Sequence, residues 1–484
     1  MTAPRARLGI NLSSPVDWST EFPFADRFRM ARAWISQREG APWGKGPALD
    51  LDARGNVRRL ESGCHAETLL YTIDGGRYPS GEYRFTWLGR GTVVVSGAAT
   101  AVRTAPGRID AHVDSAKGAI FIQIRATAPS DPIRSLRCVR VGETPGPGGF
   151  RREFLDRWRG MAAVRFMDWQ HTNGSPLAHW SDRPRVADCA WGDRGVPLET
   201  CIDLANALEA DPWICIPHQA DDEFVRRTGA LVRERLAPGL RVWLEYSNEL
   251  WNGGFSQTTF AEARGIERRL HDKPWEAGWR WSALRSVEVF DRFEEGFRNR
   301  ARTVRVMATQ AANAYIAGVK LGFRDAGKHC DALAIAPYDT FNIEPSRAAA
   351  VVRGGVDGVL DHLAGPGLEE CTRWMRDHRT VARTAGVRLV AYEAGQHAVG
   401  IAGAESDDAL TKVLTAANRH PRLGRIYSHY LDRWRDVAGG DLCCLYASMG
   451  VFGRYGSFGL LEHELDRTPK HDAVRAWMRA NPAR

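Results

Sequence analysis

The segment Val242-Trp-Leu-Glu-Tyr-Ser-Asn-Glu-Leu-Trp-Asn252 is a short, mostly apolar run that ends in polar and aromatic residues. A run of this length with polar residues after it predicts a buried strand. Similar runs recur along the chain, separated by stretches with helical periodicity such as Leu198 to Leu208. Strands that alternate with amphipathic helices are typical of parallel βα units. The segment therefore predicts a parallel strand whose carboxyl end carries Asn248 and Glu249.

Eight runs of this kind predict a closed (β/α)8 TIM barrel. The predicted strands are Leu8–Leu12, Ala162–Met167, Trp213–Pro217, Val242–Tyr246, Val304–Ala308, Ala332–Ala336, Leu389–Tyr392 and Cys443–Ala447. A doubly wound α/β sheet is the alternative fold. It is disfavoured because no glycine-rich phosphate loop follows any of the runs.

The pattern changes between residues 41 and 148, where short alternating segments such as Gly81 to Trp87 are separated by turn residues. This pattern is typical of an all-β sandwich. We therefore predict a first barrel strand and loop at 1–40, an inserted β-sandwich domain at 41–148, and the remainder of the barrel at 149–484. One strand of the insertion places three aromatic residues on one face, either as sandwich core or as a glycan-binding strip: Tyr83, Phe85 and Trp87.

The composition argues against several classes of protein. Of the 484 residues, 44% are hydrophobic and 26% are charged, which is ordinary for a globular protein. The net charge of +8 is spread over stretches of mixed sign, so we expect no nucleic-acid partner. No run of about 18 apolar residues occurs, so we expect no membrane span.

The nine cysteines form no CxxC pair and no zinc-type spacing with histidine, so we expect no metal site and no cofactor. Their odd number and apolar surroundings favour free thiols in a reducing compartment. The start, Met1 to Gly9, lacks the apolar segment of a signal peptide. We expect a cytoplasmic protein or, alternatively, a mature secreted form with an added Met. The oligomeric state is left open.

Two glutamates lie at predicted strand ends: Glu249 after the fourth strand and Glu393 after the seventh. Catalytic residues of barrel enzymes lie at the carboxyl ends of strands. A retaining glycosidase needs two carboxyls about 5–5.5 Å apart, one protonated and one ionised. The alternatives are that Asn248 and Glu249 form the start of a helix, and that Glu393 is a solvated loop carboxylate.

Asn248-Glu249 at the fourth strand, together with Glu393 at the seventh, resembles the 4/7 superfamily (clan A) of retaining glycosidases. The resemblance covers the barrel, about 1–40 and 150–484, and Tyr246 to Asn252 is similar to a segment of bacterial members of the clan. It implies that Glu249 is the catalytic acid/base and that Glu393 is the nucleophile. It indicates no single family, and therefore no particular sugar.

Other positions match the clan pattern. Arg165 corresponds to the arginine beneath the nucleophile, where a guanidinium would keep Glu393 ionised. Tyr338 matches the tyrosine that hydrogen-bonds the nucleophile, and His218, at the end of the third strand, is a candidate for binding a sugar hydroxyl. The alternatives are structural: a salt-bridged arginine, a packing tyrosine and a satisfied histidine.

The clan's strand-eight tryptophan has no equivalent, since the predicted eighth strand leads into Ser448-Met449-Gly450. The aromatic platform for a sugar ring is therefore expected from Trp169, Trp251, Trp434 or an aromatic residue in 452–458. Most of the 17 tryptophans are expected in the core. Three polar residues complete the set predicted to bind or support substrate: Asn252, Asn173 and His397.

These residues predict a retaining glycoside hydrolase that cleaves a β-linked oligo- or polysaccharide by double displacement. Glu393 would attack the anomeric carbon while Glu249 protonates the leaving oxygen, and water would then release the sugar with Glu249 as base. The alternatives are a transglycosylase using the same residues and a non-catalytic glycan-binding barrel. A phosphate-utilising barrel is disfavoured by the absence of a late glycine-rich loop.

Overall fold

The computed structural model describes residues 7–482, which divide into two compact units. Among the described residues, the barrel unit comprises 7–12, 160–183 and 208–482, and the β-unit comprises 13–159 and 184–207. The chain begins with strand β1 (Arg7–Asn11) of the barrel unit.

The β-unit is built from antiparallel strands. These are β2 (Ile35–Arg38), β3 (Asp50–Leu51), β4 (Val57–Arg59), β5 (Cys64–Leu70), β6 (Gly81–Leu88), β7 (Gly91–Gly97), β8 (Ala99–Ala105), β9 (Arg108–Val113), β10 (Ile120–Thr127) and β11 (Arg134–Arg140). One sheet has the order β2-β5-β10-β7 and the other β11-β6-β9-β8, while β3 and β4 form a separate ribbon. Helix α1 (Arg152–Trp158) and all but the last residue of α2 (Leu198–Leu208) belong to the same unit.

The aromatic face of β6 is part of the core of the β-unit. Tyr83, Phe85 and Trp87 are all buried, while the residues between them are partly exposed. This alternation is typical of a sheet with one covered face. The three rings therefore serve as core and not as an open glycan-binding strip.

The β-unit is larger than the predicted insertion at 41–148. Strand β2 lies inside the segment predicted as barrel, 1–40, yet it pairs with β5 from Ile35↔Glu67 to Arg38↔Cys64. Residues 149–159 and 184–207, predicted as barrel, also belong to the β-unit. The two compact units thus divide the chain at other residues than the predicted domains do, and β2, an edge strand of four residues, has little periodicity of its own.

The barrel unit contains eight parallel strands that close on themselves. After β1 the strands of this unit are β12 (Ala163–Arg165), β13 (Asp211–Ile216), β14 (Val242–Tyr246), β15 (Thr303–Ala308), β16 (Ala332–Ile335), β17 (Asp339–Ile343), β18 (Arg388–Ala391), β19 (Gln396–Gly400) and β20 (Leu442–Leu445). The barrel order is β1-β12-β13-β14-β15-β16-β18-β20. The predicted (β/α)8 barrel is confirmed, with strand bounds shifted by at most two residues.

The remaining two strands, β17 and β19, form a parallel pair of their own. They follow β16 and β18 directly, so the pair extends the barrel at the carboxyl ends of strands six and seven. Its register places Thr340 opposite His397 and Asn342 opposite Val399.

Helices follow the strands as expected for βα units. They are α3 (Asp222–Arg235), α4 (Ser256–Glu267), α5 (Pro274–Phe297), α6 (Ala314–Gly322), α7 (Pro345–His362), α8 (Leu368–Ala385), α9 (Asp408–Arg419), α10 (Pro421–Asp436) and α11 (Pro469–Ala480). A π-helical turn, Leu363–Gly367, joins α7 to α8. No helix within residues 7–482 is both long and apolar enough to cross a membrane. All nine cysteines are free thiols.

Large and small side chains alternate inside the barrel. Trp213 and Trp243 stack with ring centroids 5.4 Å apart, and Ala332 and Ala334 are among the buried residues that complete this core. On β1, a Cβ at Gly9 would lie only 2.6 Å from Cys444 Sγ. A larger residue at position 9 would therefore push β1 away from β20, its barrel neighbour.

Candidate active site

Glu249 lies in a tight turn after β14. Ser247 (φ 60°) and Glu249 (φ 43°) both have left-handed backbone, which costs a residue with a side chain about 1–2 kcal/mol. The first turn of α4 stabilises this segment: Gln257 Nε2 donates to the carbonyl of Asn248 at 3.0 Å, and Thr258 Oγ1 donates to the carbonyl of Asn252 at 2.7 Å. The turn is therefore held in place from the helix that follows it.

Arg165, at the end of β12, is fully buried and binds residues from several strands. Its Nη1 donates to Glu393 Oε1 and to Asn11 Oδ1, both at 3.0 Å. Its Nη2 donates to Glu245 Oε2 at 2.9 Å and to Asn248 Oδ1 at 2.8 Å. The guanidinium thus connects β1, β12, β14 and the residues after β14 and β18.

Glu393 and Glu249 each accept a hydrogen bond from a tyrosine. Tyr338 Oη donates to Glu393 Oε2 at 2.9 Å, and Tyr392 Oη donates to Glu249 Oε1 at 2.9 Å. The second oxygen of Glu249 accepts from Asn252 Nδ2 at 2.8 Å. Glu393 therefore has a cationic donor, Arg165, whereas both donors to Glu249 are neutral.

Both carboxyls have raised pKa values. Burial raises the pKa of Glu393 to about 8, against the charge of Arg165 and with the charge of Glu249 adding to the effect. Burial also raises the pKa of Glu249, against the hydrogen bonds from Asn252 and Tyr392. Two carboxyls that repel each other lose their protons in two steps, so the pair holds its last proton to a higher pH than an isolated carboxyl would.

Asn248 belongs to an amide network beside the carboxyls. Its side chain donates through Nδ2 to Asn173 Oδ1 at 3.0 Å, and the same oxygen accepts from Gln257 Nε2 at 2.7 Å. With Arg165 on its own Oδ1, the Asn248 amide has one orientation. The structure thus brings together seven residues named from the sequence: Arg165, Asn173, Asn248, Glu249, Asn252, Tyr338 and Glu393.

Several residues of the site were not identified from the sequence. In the sequence, Asn11 and Glu245 lie inside predicted strands, and Tyr392 is the last residue of the predicted seventh strand, so none of them stands out as a site residue. Asp168 accepts a hydrogen bond from Tyr446; burial raises its pKa to about 6, with Arg165 and Tyr446 opposing. A polar residue inside an apolar run, such as Glu245 between Leu244 and Tyr246, was the available signal.

The two predicted histidines lie near the strand ends in different surroundings. His218 Nδ1 is buried without a hydrogen-bond partner among residues 7–482, and its ring meets Phe260 edge-on at 5.1 Å. His397 Nδ1 lies 2.9 Å from Asn342 Oδ1, and its ring centroid is 5.6 Å from that of Tyr338. Burial lowers the pKa of both histidines, which favours the neutral imidazole at pH 7.

Two of the tryptophans predicted as sugar platforms are excluded. Trp169 and Trp434 are fully buried, so neither offers a face to a ligand. Trp251 packs partly buried against the barrel core, and its indole N–H has no acceptor in the described part of the chain. In the segment 452–458, Phe458 is partly exposed and lies 5.7 Å from Tyr446, the first residue after β20. Aromatic faces at the mouth therefore come from Trp251, Tyr446 and Phe458.

Within residues 7–482, no group of three or more His, Cys, Asp or Glu side chains is arranged to hold a metal ion.

Comparison with known proteins gives only distant likenesses. No family model matches the sequence, and neither does any curated protein. Similar solved structures include a 4-O-alpha-L-rhamnosyl-beta-D-glucuronidase from Fusarium oxysporum 12S, at 10% identity and a TM-score of 0.42 over 68% of this chain and 64% of that one. Thus this chain spans less than two thirds of that enzyme.

Two further examples have similarly low scores. An endo-beta-1,4-mannanase from Thermotoga petrophila is 12% identical, with a TM-score of 0.36 over 68% of this chain and 72% of the mannanase. A Bacteroidetes-affiliated GH5 cellulase is 13% identical, with a TM-score of 0.39 over 71% of this chain and 87% of the cellulase. At this level of similarity, neither activity nor substrate transfers to this chain.

Proposed function

We propose that this protein is a retaining glycoside hydrolase acting on a β-linked oligo- or polysaccharide, with Glu393 as nucleophile and Glu249 as acid/base. One observation carries the proposal: two buried carboxyls at the ends of β14 and β18 have different hydrogen-bond donors. Glu393 is bound by a guanidinium and Glu249 by neutral groups. That difference separates the two chemical roles that double displacement requires.

The charge of Arg165 determines where the single proton of the pair resides. A guanidinium in direct contact stabilises an ionised carboxylate more than a neutral amide or hydroxyl does. When the pair holds one proton, Glu393 is therefore the ionised member and Glu249 the protonated member. An ionised nucleophile beside a protonated acid is the state in which the first step begins.

The reaction then follows from these positions. Glu393 attacks the anomeric carbon as Glu249 passes its proton to the leaving oxygen, which forms a glycosyl-enzyme ester. Losing its proton, Glu249 becomes a base that activates water in the second step. Tyr338 and Arg165 hold the Glu393 oxygens in both steps, so the nucleophile needs no reorientation between them.

Azide rescue distinguishes the two roles. In Glu249→Ala, attack on a 2,4-dinitrophenyl β-glycoside should survive because this leaving group needs no proton, while the second step slows without its base. Added azide should restore turnover and yield a β-glycosyl azide. In Glu393→Ala, any rescue should yield the α-azide by a single inversion. The test uses a panel of dinitrophenyl glucoside, mannoside, xyloside and glucuronide.

Glu267→Ala is the matched control, because Glu267 is an exposed glutamate on α4; its activity should equal that of the wild type. The opposite azide stereochemistry in the two variants would show that the roles are exchanged. Products longer than the substrate would indicate a transglycosylase with the same residues. If no glycan is cleaved but one binds, the barrel is a glycan-binding protein and the proposal fails.

A further inference from the structure

Three aromatic residues lie together on α5 and α6, outside the candidate active site; Trp275 and Tyr315 are exposed and Trp279 is half-buried. Trp275 and Trp279 are four positions apart, so they share one face of α5; their ring centroids are 4.6 Å apart and their planes meet at 51°. Tyr315, in the first turn of α6, lies 6.2 Å from Trp279. We call Trp275, Trp279 and Tyr315 the aromatic platform. Trp275 is 40% exposed and Tyr315 is 59% exposed.

The platform lies at the carboxyl-end rim of the barrel. Helix α5 ends at Phe297, shortly before β15 begins at Thr303. The last turn of α5 therefore lies at the end of the barrel where the strands begin, opposite the rim. Trp279 is 18 positions (297 − 279) before that end, or about 27 Å along the helix. The strands are only about 20 Å long. Trp279 therefore lies at or above the level of the strand ends that carry Glu249.

The same rim is continuous with the candidate active site through α4. This helix begins at Ser256 with the residues that hold the catalytic turn, and it packs on α5 so closely that a Cβ at Gly265 would lie 2.2 Å from the carbonyl of Ala277. Helix α4 thus links the turn that carries Glu249 to the helix that carries Trp275 and Trp279.

The edge of the platform is polar. Lys273 Nζ lies 5.3 Å from the ring centre of Trp275. His271 accepts the backbone N–H of Lys273 through Nδ1 at 3.1 Å, and its Nε2 lies 3.5 Å from Glu276 Oε1. These contacts fix the loop before α5, so the rings are held on an ordered support beside hydrogen-bonding groups.

The size of the platform favours a sugar over a protein. A full aromatic side chain has about 150–250 Å² of surface, so the exposed fractions of Trp275 and Tyr315 together correspond to roughly 150–250 Å² on that scale. A stable protein interface needs roughly 800 Å² per partner. Rings that meet at an angle, with a cation and an imidazole beside them, match instead the apolar C–H face and the hydroxyl edge of one or two pyranose rings.

We propose that the aromatic platform is a glycan-binding site that holds a distal part of a polysaccharide chain. This rests on the proposed function only for the class of ligand, since glycan binding needs neither catalytic carboxyl. The platform therefore makes long chains better ligands than short ones. Trp275 and Trp279 contribute the stacking faces, and Tyr315 extends them along the rim.

Affinity gel electrophoresis tests the proposal with the full chain. Native gels containing barley β-glucan, galactomannan, glucuronoxylan or pullulan are compared with a gel lacking polysaccharide. The wild type and Glu393→Ala should both be retarded in at least one gel, and Trp275→Ala/Trp279→Ala should lose at least two thirds of that retardation. Trp43→Ala, which removes a tryptophan that is 54% exposed elsewhere, should behave as wild type.

Tyr315→Ala provides a second test if the double variant unfolds, since Tyr315 is more exposed. On the retarding glycan, platform variants should raise KM with kcat nearly unchanged, while kcat/KM on aryl glycosides stays at the wild-type value. Equal retardation of all variants, or none in any gel, overturns the proposal. So does a wild-type dimer that becomes a monomer in the platform variants, because the rings would then be a self-association face. Retardation without any hydrolysis would refute the hydrolase but not the platform.

Discussion

The two tyrosines that donate to the candidate carboxyls permit a matched pair of substitutions. Tyr338→Phe removes the hydrogen bond to Glu393, and Tyr392→Phe removes the one to Glu249; each bond is 2.9 Å long. Each hydroxyl stabilises the ionised carboxylate and so lowers its pKa. Removing either hydroxyl therefore raises the pKa of the carboxyl that it contacted.

The two variants should act on opposite limbs of the pH profile. The proposed mechanism requires Glu393 ionised and Glu249 protonated, so kcat/KM should rise with the first ionisation of the pair and fall with the second. Tyr338→Phe should move the acid limb to higher pH, and Tyr392→Phe should move the alkaline limb to higher pH. A hydrogen bond to a charged group contributes about 1.5–3 kcal/mol, which corresponds to a shift of about 1–2 pH units.

The assay is kcat/KM between pH 4 and 10 on a dinitrophenyl glycoside, with thermal unfolding measured to verify that each variant is folded. Tyr78→Phe is the control, since Tyr78 lies in the β-unit and is not a residue of the candidate site, and it should reproduce the wild-type profile. If Tyr338→Phe moves the alkaline limb and Tyr392→Phe the acid limb, the two glutamates have exchanged roles. If neither limb moves by more than 0.3 units, these carboxyls do not control the reaction.

Three further predictions concern stability. Neither carboxyl oxygen of Asp339 has a hydrogen-bond partner among residues 7–482, and burial raises the pKa of this carboxyl far above its usual value. The folded state therefore binds more protons than the unfolded state does. The free energy of unfolding should then fall as the pH rises above about 4, by up to about 1.4 kcal/mol per pH unit. Asp339→Asn should remove this slope in denaturant titrations at pH 5 to 9, and an unchanged slope would show that Asp339 is ionised in the fold. Glu245→Gln should destabilise the protein by about 3–5 kcal/mol, because it leaves the buried Arg165 with an incomplete set of charged partners; urea unfolding that matches Glu267→Gln would contradict this. Gly265→Ala should lower the free energy of unfolding by about 1–3 kcal/mol, because the added methyl group forces α4 away from α5. Gly318→Ala on α6, where a Cβ meets nothing within 4 Å, should raise it by about 0.5–1 kcal/mol. Equal unfolding midpoints for these two variants would refute the packing argument.

The barrel was predictable because each of its strands is an apolar run that is buried on both sides. Strand β8, Ala99–Ala105, is hard to predict because most of its residues are exposed and give no alternating pattern. The candidate glutamates were predictable because each lies a few residues at most after an apolar run. Trp169 follows such a run too, but sequence position does not show which way a side chain points, and this one points into the core.

The contacts of Arg165 were only partly predictable. Its contact with Glu393 followed from a resemblance, whereas Asn11 and Glu245 became recognisable as partners only once the strands were arranged in space. A guanidinium can reach past the neighbouring β13 to β14 because the barrel interior is narrow, and a linear sequence does not contain that distance.

The partners of Arg165 also affect how quickly the candidate active site can form again when the denatured protein refolds. Its bonds to Glu245, Asn11 and Glu393 join positions 80, 154 and 228 residues apart. Contacts between such remote positions form late, because long segments of chain must first be ordered. During refolding, the circular dichroism signal of the helices should therefore recover before the hydrogen bond between Arg165 and Glu393 forms. The rate at which binding or hydrolysis reappears would then measure the closing of the barrel by pairing of β1 with β20, and not the formation of helices.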